Sequence, residues 1–161
     1  MTDELRSQLV MLLRGRQAHM TFDEAVADFP DWAINERAPN VSYTPWHLVE
    51  HLRITQWDML LYIEDPTGHE SPPWPVGYWP DPQATTDMAG FLKSVEGFRA
   101  DLRDMERIAL DERRDLTAVL EGTQGHSALR GLMIIGNHNS YHLGEFASLR
   151  QVMGSWPPGH R

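Results

Sequence analysis

Residues 44–66 read TPWHLVEHLRITQWDMLLYIEDP and carry the signals for both ends of a long helix. Thr44 is a favourable N-cap, Pro45 is favourable as the first helical residue, and Asp65-Pro66 marks the end. Between them the apolar residues recur at helical spacing: Trp46, Val49, Leu52, Leu60 and Ile63. The stretch therefore predicts one amphipathic helix that begins at Pro45 and stops near Asp65.

Two helices are predicted before this one. The first follows Thr2, and its core stripe is expected at offsets of 4, 7 and 14 residues: Leu5, Leu9, Leu12 and His19. The second is short, because Thr21 and Glu24 form a capping-box pattern and Pro30 follows closely.

Two long helices are predicted after it. Apolar residues from Met88 to Met105 repeat every three or four positions, and this helix reaches roughly Asp111. The last helix runs from about Ser127 to Met153, where Gly154 is a favourable C-terminal cap. No segment alternates apolar and polar residues as a strand would. The fold class is therefore all-α, with four long helices in a bundle.

The connection at residues 66–82 contains six of the 11 prolines together with Trp74, Tyr78 and Trp79. Regular structure is not expected in a segment so rich in proline. Two interpretations stay open. The aromatic side chains either clamp the connection onto the helices or line a pocket as a lid.

Composition restricts the function classes. The 161 residues fit one domain, positions 1–161, and 14 Lys+Arg against 23 Asp+Glu give a net charge of −9, which repels nucleic acid and anionic lipid. No apolar run is long enough to cross a membrane, and the acidic N-terminus lacks signal-peptide features, so a cytoplasmic location is expected. Without cysteine, a metal site must use histidine, carboxylate and water.

Histidines occur in two i,i+4 pairs, His47/His51 and His138/His142. Members of each pair project from one helix face, so both imidazoles can reach one ion. Of these, His51, His138 and His142 are interpreted as inward-facing ligands, because three neighbouring buried imidazoles are costly without a cation.

The other histidines are interpreted differently. His47 is more readily a satisfied core or surface residue than a fourth ligand, and His19 can border the same cavity. No role is assigned to His69, His126 or His160. The sequence lacks the HExxH motif of metalloproteases and the Glu-x-x-His pair of di-iron bundles.

Several segments together are similar to a known family. They are Pro45-Trp46-His47-Leu48-Val49-Glu50-His51-Leu52-Arg53-Ile54, Gln56-Trp57-Asp58, Trp74-Pro75-x-Gly77-Tyr78-Trp79-Pro80, His138-Asn139-x-Tyr141-His142-Leu143-Gly144 and Leu149-Arg150. The chain resembles the DinB-like superfamily. The resemblance implies an antiparallel four-helix bundle with a long connection between the second and third long helices, and a divalent metal on His51, His138 and His142.

The resemblance also implies activity and assembly. Members are often homodimers, and some are metal-dependent transferases that use low-molecular-weight thiols such as bacillithiol or mycothiol. This chain has Glu145 where the family commonly has Gln, so its carboxylate either is an additional ligand of the ion or lies next to the ion without binding it.

A metal ion that is bound by three histidines and keeps one open coordination position can activate a bound thiol or water. Imidazole ligands suit Zn²⁺ and Ni²⁺. We therefore expect a metal-dependent thiol transferase or a hydrolase acting on a small molecule, with Glu145 or Asp58 orienting a ligand or accepting a proton. The alternative is a non-enzymatic stress-response or scaffold protein whose ion ties the second and last long helices together.

Overall fold

The computed structural model describes residues 2–15 and 17–159, and over these residues the protein is helical without strands. The helices are α1 (Asp3–Arg14), α2 (Phe22–Val26), α3 (Pro45–Glu64), α4 (Met88–Leu110) and α5 (Ala128–Met153). Single 3₁₀ turns lie at Asp31–Ala33 and Val76–Tyr78. The all-α prediction is confirmed. Among the described helices, none combines the length and the apolar character that a membrane span requires.

The ends of α3 and α5 follow their local capping signals. Thr44 accepts a hydrogen bond from the His47 N–H and forms a capping box, with Pro45 as the first helical residue. Gly154 closes α5 in the left-handed conformation, at φ 65°. Both helices therefore begin and end within a residue or two of their predicted bounds.

The predicted core stripe of α1 is confirmed at Leu9, which is buried, and at Leu12, which packs against the core, but it is wrong at Leu5 and His19. Leu5 is 57% exposed, whereas Arg6 is only 4% exposed because its guanidinium donates hydrogen bonds to the carbonyls of Ala109 and Arg114. His19 lies outside the helix, since α1 ends at Arg14 and Gly15 turns the chain at φ 77°. This positive φ suits glycine and redirects the chain before it reaches His19.

α3 packs against both α4 and α5, and α1 packs against the same two helices. One of the two parts of the core lies around α2 and the first half of α3, where Phe22 stacks on Phe98 of α4 at 3.9 Å between ring centroids. This packing sets the inner faces of α3 and α5 side by side, and the histidines of those faces lie there.

Candidate metal centre

Three histidines from two helices meet at one place. α3 carries His51 and α5 carries His138 and His142, and one nitrogen from each ring lies within 4.8 Å of the other two. The ring centroids of His138 and His142 are 4.5 Å apart, as expected for neighbours one turn apart. The structure thus brings together the three residues that the sequence singles out as metal ligands.

The outer nitrogen of His51 is held by the proline-rich connection. Its Nδ1 donates to the Tyr78 carbonyl at 2.8 Å, and this leaves the Nε2 lone pair facing the other two histidines. Trp79 stacks on the His51 ring at 3.9 Å with an interplanar angle of 5°. The connection therefore packs directly on the site and fixes one ring of it.

The orientation of His138 is set by a chain of hydrogen bonds that starts at a backbone carbonyl. The Phe98 carbonyl accepts from Gln56 Nε2 at 2.7 Å, so Gln56 Oε1 is free to accept from Asn139 Nδ2 at 2.9 Å. The remaining amide atom, Asn139 Oδ1, faces His138 Nδ1 at 3.4 Å. Because a carbonyl can only accept, each amide has one possible orientation, and the Asn139 oxygen favours the His138 tautomer with its proton on Nδ1.

Glu145 holds the third ring. His142 Nδ1 donates to Glu145 Oε2 at 2.6 Å, and the Tyr43 hydroxyl donates to Glu145 Oε1. Both carboxylate oxygens are thus engaged, and Glu145 is a partner of the histidine in the way that carboxylates support ligating imidazoles.

The geometry fits a divalent cation. His51 Nε2 and His138 Nε2 are 3.2 Å apart, and both present lone pairs because their protons are on Nδ1. Two facing lone pairs repel unless a cation lies between them. Two nitrogens on a tetrahedral Zn²⁺ would be about 3.3 Å apart. Burial lowers the pKa of both His51 and His138 to about 4, so both rings are neutral at physiological pH and able to bind an ion.

Asp58 is not part of the three-histidine cluster and is held by two residues of the proline-rich connection. It is 8% exposed, and its two oxygens face His69 Nε2 at 2.8 Å and the Tyr78 hydroxyl, which donates at 2.7 Å. Sequence reasoning missed His69. Its 11-residue separation from Asp58 crosses the end of α3, so neither helical periodicity nor a motif connects the two.

The remaining histidines lie apart from the cluster. Buried His47 accepts from the Thr44 N–H through Nδ1 at 3.3 Å and donates through Nε2 to the Ala84 carbonyl at 2.9 Å, so both of its nitrogens are occupied. His19 Nε2 is 2.8 Å from the Ser140 hydroxyl, and His126 contacts the Tyr62 hydroxyl. His160 lies outside the described residues.

A cavity of about 420 Å³ opens over the cluster. Besides the three imidazoles, its walls are mainly apolar or aromatic: Thr55, Asp58, Met59, Trp74, Tyr78, Trp79, Ile134 and Ile135. The connection at residues 66–82 thus both packs on the helices and lines a pocket, which combines the two interpretations left open by the sequence. His19 and Glu145 are not among its lining residues.

The sequence profile of the DinB superfamily matches residues 14–146, which include all of α2, α3 and α4 and the three clustered histidines. The chain belongs to the DinB superfamily. Comparison with curated proteins and with solved structures gives no match. In this DinB-superfamily protein the three-histidine cluster is therefore the candidate metal centre.

Proposed function

We propose that this DinB-superfamily protein binds one divalent ion through His51, His138 and His142 and uses it to activate a small molecule, as a thiol transferase or a hydrolase. The observation that carries the proposal is the engagement of every Nδ1: the Tyr78 carbonyl, Asn139 and Glu145 each take one. Three Nε2 lone pairs are then left for an ion.

Neutral imidazole ligands suit Zn²⁺ and Ni²⁺, and we propose one of these as the native ion. Three protein ligands on a four-coordinate ion leave one position for substrate. The cavity over the cluster gives a small molecule access to that position. Both points favour a chemical role over a purely structural ion.

When bound, the ion would supply Lewis acidity that lowers the pKa of a bound thiol or water. Glu145 would act as a positioning residue, since its two oxygens already hold His142 and Tyr43. Asp58 lines the cavity and Glu145 does not, so Asp58 is the better candidate for accepting the proton released from the thiol or water, in exchange for one of its two hydrogen bonds. The remaining hydrogen bond, to His69 or to the Tyr78 hydroxyl, would keep the Asp58 carboxyl group in position.

A thiol must come from a second small molecule, because the chain contains no cysteine. The proposal includes the antiparallel order of the long helices and the homodimer expected from the family resemblance. The proline-rich connection would select the substrate, because it supplies Trp74, Tyr78 and Trp79 to the cavity wall.

Replacing the native ion with Co²⁺ tests thiol activation. Addition of a low-molecular-weight thiol should produce a thiolate-to-Co²⁺ charge-transfer band, and the band should be absent in His138→Gln. If neither a thiol nor azide alters the Co²⁺ spectrum, the coordination sphere is closed and the ion is structural. Asp58→Asn should slow the transferase or hydrolase reaction with little change in metal content. Glu145→Ala should instead reduce the affinity for the metal ion.

A further inference from the structure

A second cleft, of about 790 Å³, lies beside the metal cavity and shares Trp79 with it. We call it the Tyr43 cleft. Its apolar walls are Tyr43, Pro75, Val76, Trp79, Pro80 and Pro82. None of the three clustered histidines lines it. The volume falls within the range of small-molecule sites, roughly 300–1,000 Å³.

The polar groups of the Tyr43 cleft are largely committed to partners within the protein. Both nitrogens of His47 are bonded to backbone groups, and the Tyr43 hydroxyl donates to Glu145. Asp81 already accepts the Gln83 N–H at 2.8 Å through Oδ1. Since few free polar groups face the cleft, an occupant gains affinity by burying apolar surface.

The charges of the lining residues further restrict which molecules can bind in the cleft. Among the described residues, no lysine or arginine lines the cleft, while Asp81 brings a carboxylate to it. Arg37 reaches the wall residue Pro82, but its Nη2 donates to the Pro82 carbonyl. An anionic molecule would therefore lose its hydration without gaining a cationic partner from the lining residues. The exposed fraction of Val76 is 73%, which leaves an apolar side chain open to an arriving ligand.

Two walls of the Tyr43 cleft also contact the metal centre. Trp79 stacks on His51, and Tyr43 donates to the carboxylate that holds His142. The connection that supplies Trp79 also supplies the Tyr78 carbonyl that holds His51 Nδ1. A molecule in the cleft would thus contact the segment that positions His51 and the tyrosine that is bonded to the carboxylate holding His142.

We propose that the Tyr43 cleft binds a mainly apolar small molecule without negative charge, and that this binding strengthens metal binding at the neighbouring cluster. The effect on metal binding rests on the metal site proposed above. The coupling is positive because the cleft and the metal-facing orientation of His51 occur in the same conformation, so a ligand that binds this conformation favours the orientation that the ion needs. By linkage, the ion must raise the affinity of the cleft ligand by the same factor.

The test uses two fluorescent probes with a closely related scaffold, neutral N-phenyl-1-naphthylamine and its sulfonated relative 8-anilino-1-naphthalenesulfonate. The wild-type protein should bind the neutral probe at least tenfold more tightly. Val76→Arg should reverse this preference by placing a cation in the cleft. Val119→Arg is the matched control, because Val119 is 64% exposed and belongs to a different segment. Zn²⁺ should raise the affinity for the neutral probe two- to tenfold, and His138→Gln should remove only that increase.

Each of the other possible results would overturn one stated part of the proposal. Equal binding of the two probes, or an unchanged preference in Val76→Arg, overturns the cleft as the binding site. Weaker or unchanged probe binding in the Zn²⁺-bound protein overturns the positive coupling, and if Val76→Arg also leaves the preference unchanged, weaker binding places the probe in the metal cavity. If Zn²⁺ does not bind at all, the metal proposal and the coupling fail, while the comparison of Val76→Arg with Val119→Arg still decides the cleft.

Discussion

Gln56 of α3 accepts a hydrogen bond from Asn139 of α5 at 2.9 Å, and the exposed fractions of the two side chains are 0% and 2%. This contact crosses the interface on which the candidate metal centre is built. Because the Phe98 carbonyl can only accept, it orients the Gln56 amide, and Gln56 in turn orients the Asn139 amide that faces His138. The metal-facing nitrogen of His138 is thus determined by a backbone atom of a third helix, α4.

Asn139→Leu should weaken metal binding about tenfold or more, in line with losses of partners behind metal ligands. The substitution removes the acceptor at His138 Nδ1 and leaves Gln56 Oε1 without its donor, which should also lower the free energy of unfolding by about 1–3 kcal/mol. Competition with a chromophoric chelator measures the affinity. Asn137→Leu is the control, since Asn137 is exposed on the same helix. Equal losses in both variants would contradict the relay.

His51→Gln should abolish metal binding, whereas His47→Gln should leave metal content intact. His47 has both nitrogens bonded to backbone groups and caps α3, so its loss should lower the free energy of unfolding by about 1 kcal/mol. Elemental analysis and thermal unfolding of the two variants separate these effects. Equal metal loss in the two variants would instead establish a four-histidine site.

Glu145→Gln should keep most of the metal affinity, because the amide oxygen can still accept from His142 Nδ1. Glu145→Ala removes that acceptor and should weaken binding about 10–100-fold. Glu121→Ala, at an exposed glutamate outside the site, is the control for loss of a negative charge. Equal losses in Glu145→Gln and Glu145→Ala would mean that the carboxylate itself binds the ion.

Asp101 provides a prediction of pH dependence away from the metal centre. Burial raises its pKa to about 6, and Asp104 adds to the shift while Arg53 opposes it. Between an unfolded pKa of about 3.9 and this value the folded state binds more protons, so the Asp101 contribution to stability falls as pH rises through this window. Asp101→Asn should therefore raise the melting temperature at pH 7 and change it little at pH 4. A larger gain at pH 4 would contradict the direction of the shift.

The helix ends and the histidine spacing are local properties, and the sequence alone predicted them. Thr44 and Gly154 act through hydrogen bonds to residues a few positions away, so the bounds of α3 and α5 follow from short stretches. The i,i+4 spacing of His138 and His142 likewise places both rings on one face without reference to the rest of the chain.

Tertiary structure decided which groups hold the histidines. The partners of the three Nδ1 atoms include the Tyr78 carbonyl, 27 residues from His51, and a relay from Phe98 that runs through Gln56. No periodicity connects such residues, because their contacts exist only after α3, α4 and α5 have packed. The same reason explains the errors at Leu5 and His19: a stripe of leucines predicts a face, but the turn at Gly15 and the burial of Arg6 against distant carbonyls determine what that face contacts.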